Sequence, residues 1–187
     1  MIQRGSLVDD KLLNDIAKSF VVTALSYTNQ NWRTFCQSWS KALKADLSGD
    51  AEAKLEFSMA IIGLGLSRIK RDSLENTASR EVGKVQAEKI RDYLRVMSGN
   101  LGDEPWEKAM KYHNAYENCP NFDSRFDKPP FESRVEAIAV VLFDSFKIAH
   151  LIKIGGRISY EPLTLMMLAG TVLAAYQDCK NTFQSLL

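Results

Sequence analysis

The chain has 187 residues, 45% of them apolar and 25% charged, an ordinary globular composition that argues against disorder as the default state. That length supports a single domain over residues 1–187 with a substantial core. A formal charge of +1 removes the simplest argument for nucleic acid or a membrane surface, so any charged function has to be local.

Asp9 and Asp10 fall where a secretory leader would carry its apolar run, so secretion is not expected. Either aspartate is placed to cap a first helix, in which Leu12, Leu13, Ile16, Ala17, Phe20, Val21, Ala24 and Leu25 recur at helical spacing. This helix is expected to end near the polar run YTNQN, 27–31. A second helix carries Trp32, Phe35, Cys36, Trp39, Ala42 and Leu43 on one stripe and stops around LSGD, with Gly49 as terminator and Ser48 or Asp50 opening the next.

The third helix, 51–70, contains Gly63 and Gly65, which weaken a helix unless a neighbour packs closely against them. A fourth runs over 73–97 to SGNLGDEP, the strongest internal punctuation, where Asp103 is placed as N-cap and Glu104 and Pro105 open a fifth helix over 104–117. The stretch NCPNFDSRFDKPPF, 118–131, does not read as helix. Beyond it a helix is expected over 132–153, then IGGRIS, then a last helix from Tyr160 with Pro162 in its first turn. No internal repeat is apparent, and no alternating strands gather between turn signals. The expected fold is therefore all-α, an irregular bundle of about seven helices. Ile138, Val140, Val141, Leu142, Phe143, Phe146, Leu165, Met166, Leu168, Val172 and Leu173 make the last two helices apolar on most sides and predict that both lie at the centre. The apolar run 163–176 is too short to span a bilayer comfortably.

Among charged patterns, the fourth helix stands out. At about 100° per residue from Val82, residues Arg80, Lys84, Arg91 and Arg95 share an arc at roughly 160–220°, with Val82, Val85, Ile90, Tyr93, Leu94 and Met97 expected opposite. Such a stripe can follow a phosphate chain or an acidic surface, or be a solvated face tempered by Glu81, Glu88 and Asp92.

Catalytic and metal signatures are sparse. His113 and Glu117 are four apart on one helix face, but a Glu-x-x-His metal pair would need an acid at Met110, so a packed, hydrogen-bonded histidine is the better reading. His150 reads the same way behind Phe143 and Phe146. Cys119 lies a few residues from His113 without a third orienting group, and an inert thiol is the commoner case. Cys36, Cys119 and Cys179 are odd in number and widely spaced, which favours a reducing, cytoplasmic location. Gly155 and Gly156 before Arg157 lack P-loop spacing and read as a helix C-cap. An EF-hand fails at Arg125, and no cofactor is expected.

The segment 118–131 is the remaining candidate. Pro120, Pro129 and Pro130 stop helices on both sides, while Phe122, Phe126 and Phe131 alternate with charges. Loops of this length within compact domains are often functional. The leading expectation is a non-enzymatic protein that binds a protein partner, of inhibitor, immunity or adaptor type, through Phe122, Arg125, Phe126 and Asp127 with Trp106 and Tyr116 as neighbours. Alternatives are nucleic-acid or phosphate binding through Arg80, Lys84, Arg91 and Arg95, and an enzyme using His113 or His150. No membrane partner is expected. Gly170 and Ala174, four apart, permit close helix contact within a subunit or between subunits of a homo-oligomer.

Overall fold

The computed structural model describes residues 10–72, 77–99, 102–119, 131–146, 153–154, 157–158 and 162–184. Six helices make up the fold of these residues: α1 (Asp10–Leu43), α2 (Ala51–Asp72), α3 (Thr77–Ser98), α4 (Glu104–Glu117), α5 (Phe131–Ser145) and α6 (Pro162–Gln184). Among them, one antiparallel ladder, β1 (Lys153–Ile154) with β2 (Arg157–Ile158), pairs Lys153 with Ile158 and Ile154 with Arg157. The architecture is the expected all-helical bundle, with six helices rather than seven.

The missing boundary is at YTNQN. The two helices expected over 9–43 form one helix of 34 residues, about 50 Å long at 1.5 Å per residue. The core stripe does not pause there: Ala24, Thr28, Trp32, Cys36, Trp39 and Leu43 continue it at three- and four-residue steps. The polar residues find acceptors inside the helix, with Thr28 Oγ1 donating to the Ala24 carbonyl (2.9 Å) and Asn31 Nδ2 to the Tyr27 carbonyl (2.9 Å). The helix stops at Leu43, where Lys44 takes a left-handed φ of 50°, so Lys44 and not Gly49 makes the C-terminal turn. Asp50 then caps α2, its Oδ1 accepting from the Ala53 N–H at 2.9 Å.

The central element is α2. Every residue from Glu56 to Ser67 is buried, although the stretch includes Glu56, Ser58 and Ser67. Its glycines explain how neighbours approach so closely. A Cβ on Gly63 would lie 2.6 Å from the Ala109 carbonyl oxygen, 2.7 Å from Tyr112 Cβ and 3.0 Å from the His113 nitrogen, all on α4. A Cβ on Gly65 would lie 2.3 Å from Phe20 Cζ on α1. The close-packing neighbour that these glycines required is thus present on both sides.

By contrast, α6 is not enclosed as its apolar sequence predicts. Leu168, Val172, Ala175 and Cys179 are buried, but Leu163 is 72% and Met166 60% exposed, and Gly170 and Ala174 face outward. No atom lies within 4 Å of a Cβ built on Gly170, so the Gly170 and Ala174 spacing makes no close helix contact within the described chain. Nor does α5 run to Lys153. It ends at Ser145, whose Oγ turns back to donate to the Val141 carbonyl at 2.7 Å. Within IGGRIS, Ile154 pairs with Arg157 as strand residues, and Gly155 and Gly156 between them lie outside the described residues.

An aromatic group fills the space between α1, α2 and α5. Trp39 and Phe57 are 5.3 Å apart at 64°, Phe35 and Phe57 5.2 Å apart, and Trp39 and Phe146 6.0 Å apart. Both buried indoles are hydrogen-bonded: Trp32 Nε1 donates to the Leu47 carbonyl (3.1 Å) and Trp39 Nε1 to Thr171 Oγ1 on α6 (3.3 Å). No described helix is long and apolar enough to cross a membrane.

Candidate functional site

Chemistry-bearing side chains converge where α2, α4 and α5 meet. Glu56 has a side chain only 5% exposed, yet both its oxygens are occupied. Oε1 accepts from Lys108 Nζ at 2.8 Å, and Oε2 accepts from Lys111 Nζ at 3.0 Å and from the Tyr112 hydroxyl. Helical spacing makes this possible, because residues 108, 111 and 112 share one face of α4, three and four apart. Lys108 Nζ also donates to Glu52 Oε1 at 2.5 Å and pairs with Glu104 Oε1 at 3.4 Å, so three carboxylates surround it. From α5, Ser145 Oγ accepts from Lys111 Nζ at 2.9 Å.

Burial alone would raise the Glu56 carboxyl pKa, but hydrogen bonds from Lys108, Tyr112 and Lys111 outweigh it and hold the group below 4.5. Burial alone would lower the Lys108 pKa, and hydrogen bonds and charge from Glu52 and Glu56 reverse that to a net rise. Burial, reinforced by the Glu56 charge and hydrogen bond, drives the Tyr112 phenol far above its ordinary 10.0. The group is therefore a carboxylate, an ammonium and a neutral phenol at neutral pH, each held in place. Its chemistry is that of a three-helix clamp.

A second buried pair joins α2 to α4 about three turns further along α2. Ser67 is fully buried, and its Oγ lies 2.9 Å from His113 Nδ1 and 3.1 Å from the Gly63 carbonyl oxygen. His113 is 9% exposed, and burial pulls its pKa below 6.5. Glu117 is instead held by Lys70 Nζ at 2.8 Å. His113 is thus a packed histidine bonded to a neighbour.

Within the described residues, Cys119 bonds to α5. Its thiol donates to the Ser133 carbonyl at 3.4 Å, and burial raises its pKa. None of the three cysteines forms a disulfide. Burial pushes the Cys36 thiol up to about 11 and the Cys179 thiol up to about 12, with nearby carboxylates adding to both shifts. Among the described residues no group of three or more His, Cys, Asp or Glu side chains could hold a metal ion.

The basic stripe of α3 lies beside the core rather than opposite it. Gly83, Ile90 and Leu94 are buried and Ala87 partly so, which centres the inward face at about 110° on the same count. Val96 is 77% and Met97 52% exposed, so Met97, in the last turn of α3, is not enclosed with Ile90 and Leu94. The rotation carries Arg91 and Arg95 towards α4. Arg91 reaches Asp103 Oδ2 at 3.1 Å and lies 6.0 Å from the Trp106 ring centroid, while Arg95 Nε reaches Asp103 Oδ1 at 3.1 Å. Asp103 precedes α4 as expected but makes no side-chain cap, because these arginines engage its carboxylate. The two glycines of this turn, Gly99 and Gly102, have φ of 54° and 58°. Lys84 is exposed, and the Arg80 side chain lies outside the described ones.

Of the partner-binding candidates, Phe122, Arg125, Phe126 and Asp127 lie outside the described residues, as does His150. Trp106 is half-buried beneath Arg91. Tyr116 is 1% exposed, with Arg134 Cζ 5.2 Å from its ring centroid, so it is a core residue and not a surface contact. Reasoning from sequence passed over Glu56, Lys108, Lys111 and Ser67. Lys108 and Lys111 gave a weak signal, being three apart and so on one face of a helix that also carries Tyr112. Glu56 gave none, because its partners are more than fifty positions away. No protein-family model, curated protein sequence or solved structure gives a significant match to this chain.

Proposed function

We propose that this chain is a non-enzymatic helical domain that works by binding a protein partner, the partner presenting an uncharged apolar helix to the outer face of α6. The observation that carries this reading is the run Leu163, Met166, Gly170 and Ala174, outward-facing and without a charge over three turns. Large exposed apolar side chains gathered on one helix are the usual mark of an interaction surface, and small residues beside them allow close backbone approach. The internal acids, bases and thiols support the same reading, because they are occupied with one another or buried. The segment with Phe122, Arg125, Phe126 and Asp127 remains a second proposed contact.

The test is affinity capture from native lysate with nuclease treatment, using the wild-type chain beside Met166→Glu and Phe126→Ala, together with light scattering of the pure protein. A stoichiometric protein lost in Met166→Glu supports the α6 face, and loss in Phe126→Ala alone moves the site to the 118–131 segment. A second copy as the partner shows as a wild-type dimer that Met166→Glu converts to monomer. Binding untouched by either change, or recovery of nucleic acid only, overturns the reading.

A further inference from the structure

The pair at the end of the α2–α4 seam contains one hydrogen too few for its contacts, unless the histidine supplies another. Ser67 Oγ has a single hydrogen and two neighbours, the Gly63 carbonyl oxygen at 3.1 Å and His113 Nδ1 at 2.9 Å. If Nδ1 were bare, the hydroxyl could serve only one of them. If Nδ1 carries the ring hydrogen, it donates to Ser67 Oγ, which in turn donates to the Gly63 carbonyl, and both short contacts become hydrogen bonds. At a fully buried hydroxyl, that difference decides the tautomer. The second arrangement leaves Nε2 as the basic nitrogen of the ring.

The charges that reach this ring are Glu117, one turn further along α4, and Lys70 of α2. These two are themselves paired across the seam at 2.8 Å. We propose that His113 is a proton-operated catch on the α2–α4 seam. At neutral pH its Nδ1–H is anchored through Ser67 to Gly63, and on acidification Nε2 takes a proton from solvent and the imidazolium competes with Lys70 for Glu117. The new charge would arise at a tightly packed part of the seam, where a Cβ on Gly63 would lie 2.6 Å from the Ala109 carbonyl oxygen and 3.0 Å from the His113 nitrogen. Ordinary histidines titrate near neutrality, so the catch operates on the acid side of it. Burial, the largest influence on this ring, disfavours the charged form. The unfolded chain therefore binds the proton first, and the stability His113 contributes is complete above about pH 6.5 and falls as pH drops towards its lower folded-state value.

The experiment is nitrogen-detected NMR of the histidine side chains, with His150→Gln to assign the two rings, followed by urea unfolding at about pH 7.5 and about pH 5. The expected results are an Nδ1–H ring at neutral pH, a proton added at Nε2, and a urea midpoint that falls on acidification in the wild type. In His113→Asn, which keeps a donor for Ser67 but has nothing to protonate, that fall should shrink. Two surface variants should move the His113 titration in opposite directions, Glu117→Gln to lower pH and Lys70→Gln to higher pH. A ring that neither charge reaches would not give these opposed shifts. An Nε2–H tautomer at neutral pH, an equal fall in His113→Asn, or a titration unmoved by both surface variants would overturn the proposal. Should His113→Asn fail to fold, the wild-type tautomer and the two surface variants decide it alone.

Discussion

Helices α2 and α6 reverse the places their compositions assign them. The sequence of α6 is the more apolar, yet one of its faces holds Leu163 and Met166 in solvent. The stretch of α2 from Glu56 to Ser67 includes a glutamate, two serines and two glycines, yet all of it is enclosed. The central position goes to the helix that its neighbours can approach and whose polar groups they can satisfy. Gly63 and Gly65 admit α4 and Phe20, and Lys108, Lys111 and Tyr112 answer Glu56. Ser67 and Ser58 return hydrogen bonds to carbonyls of their own helix, at 3.1 and 3.2 Å. An apolar face needs only burial somewhere, whereas a buried carboxylate needs particular partners, and so it fixes which helices meet.

The contrast is most open to attack at Glu56. Glu56→Ala removes the acceptor shared by Lys108, Lys111 and Tyr112, leaving Lys108 to Glu52 and Glu104 and the other two to Ser145, and is expected to cost about 3 kcal/mol in equilibrium unfolding. Glu56 is also held ionised below its ordinary 4.5, so the stability it contributes is complete above about pH 4.5 and drains away as pH falls through its lower folded-state value. Glu56→Gln should flatten that acid limb of the stability profile, and an unchanged limb would mean that other carboxylates dominate it. Next in size is Gly63→Ala, which forces a methyl group against backbone and should cost about 1–3 kcal/mol by thermal or urea unfolding.

Lys44→Gly acts in the other direction, relieving a side chain at a φ of 50° and raising stability by up to about 1 kcal/mol. The smallest effect is expected on α6. Met166→Glu should change folding stability by no more than about 0.5 kcal/mol, because the side chain is 60% exposed. A cost comparable to that of Gly63→Ala would show that this face is covered in the folded protein and would remove the asymmetry between the two helices.

Local signals in the sequence were read well where they decide local structure. The bounds of α4 followed from Asp103, Glu104 and Pro105, and the turn before it from Gly99 and Gly102. The close approach at Gly63 and Gly65 was legible as a requirement, though not the identity of the neighbour. Local reading failed at 27–31, where a polar run looks like a stop unless Thr28 and Asn31 are seen bonding back to their own helix. It failed again over the rotation of α3, because Val82, Val85 and Met97 outvote Gly83 and Ala87 by hydrophobicity while the small residues are the ones that pack. The clamp around Glu56 was invisible for another reason. Each of its α2–α4 hydrogen bonds joins residues more than fifty positions apart, and nothing in a linear pattern tells a glutamate that will be enclosed from one that will remain in water.

The uninterrupted run of α1 also has a mechanical meaning. A continuous helix resists bending far more than two helices joined by a turn, because every bend must lengthen hydrogen bonds along one side. This one holds Phe20 against Gly65 in its first half and Trp32 against the Leu47 carbonyl in its second. It is tied to α6 at two levels, through Tyr27 to Asp178 at 2.7 Å and through Trp39 to Thr171 at 3.3 Å. A push on the outer face of α6 therefore meets a stiff beam, and what α6 yields at one level α1 carries to the other.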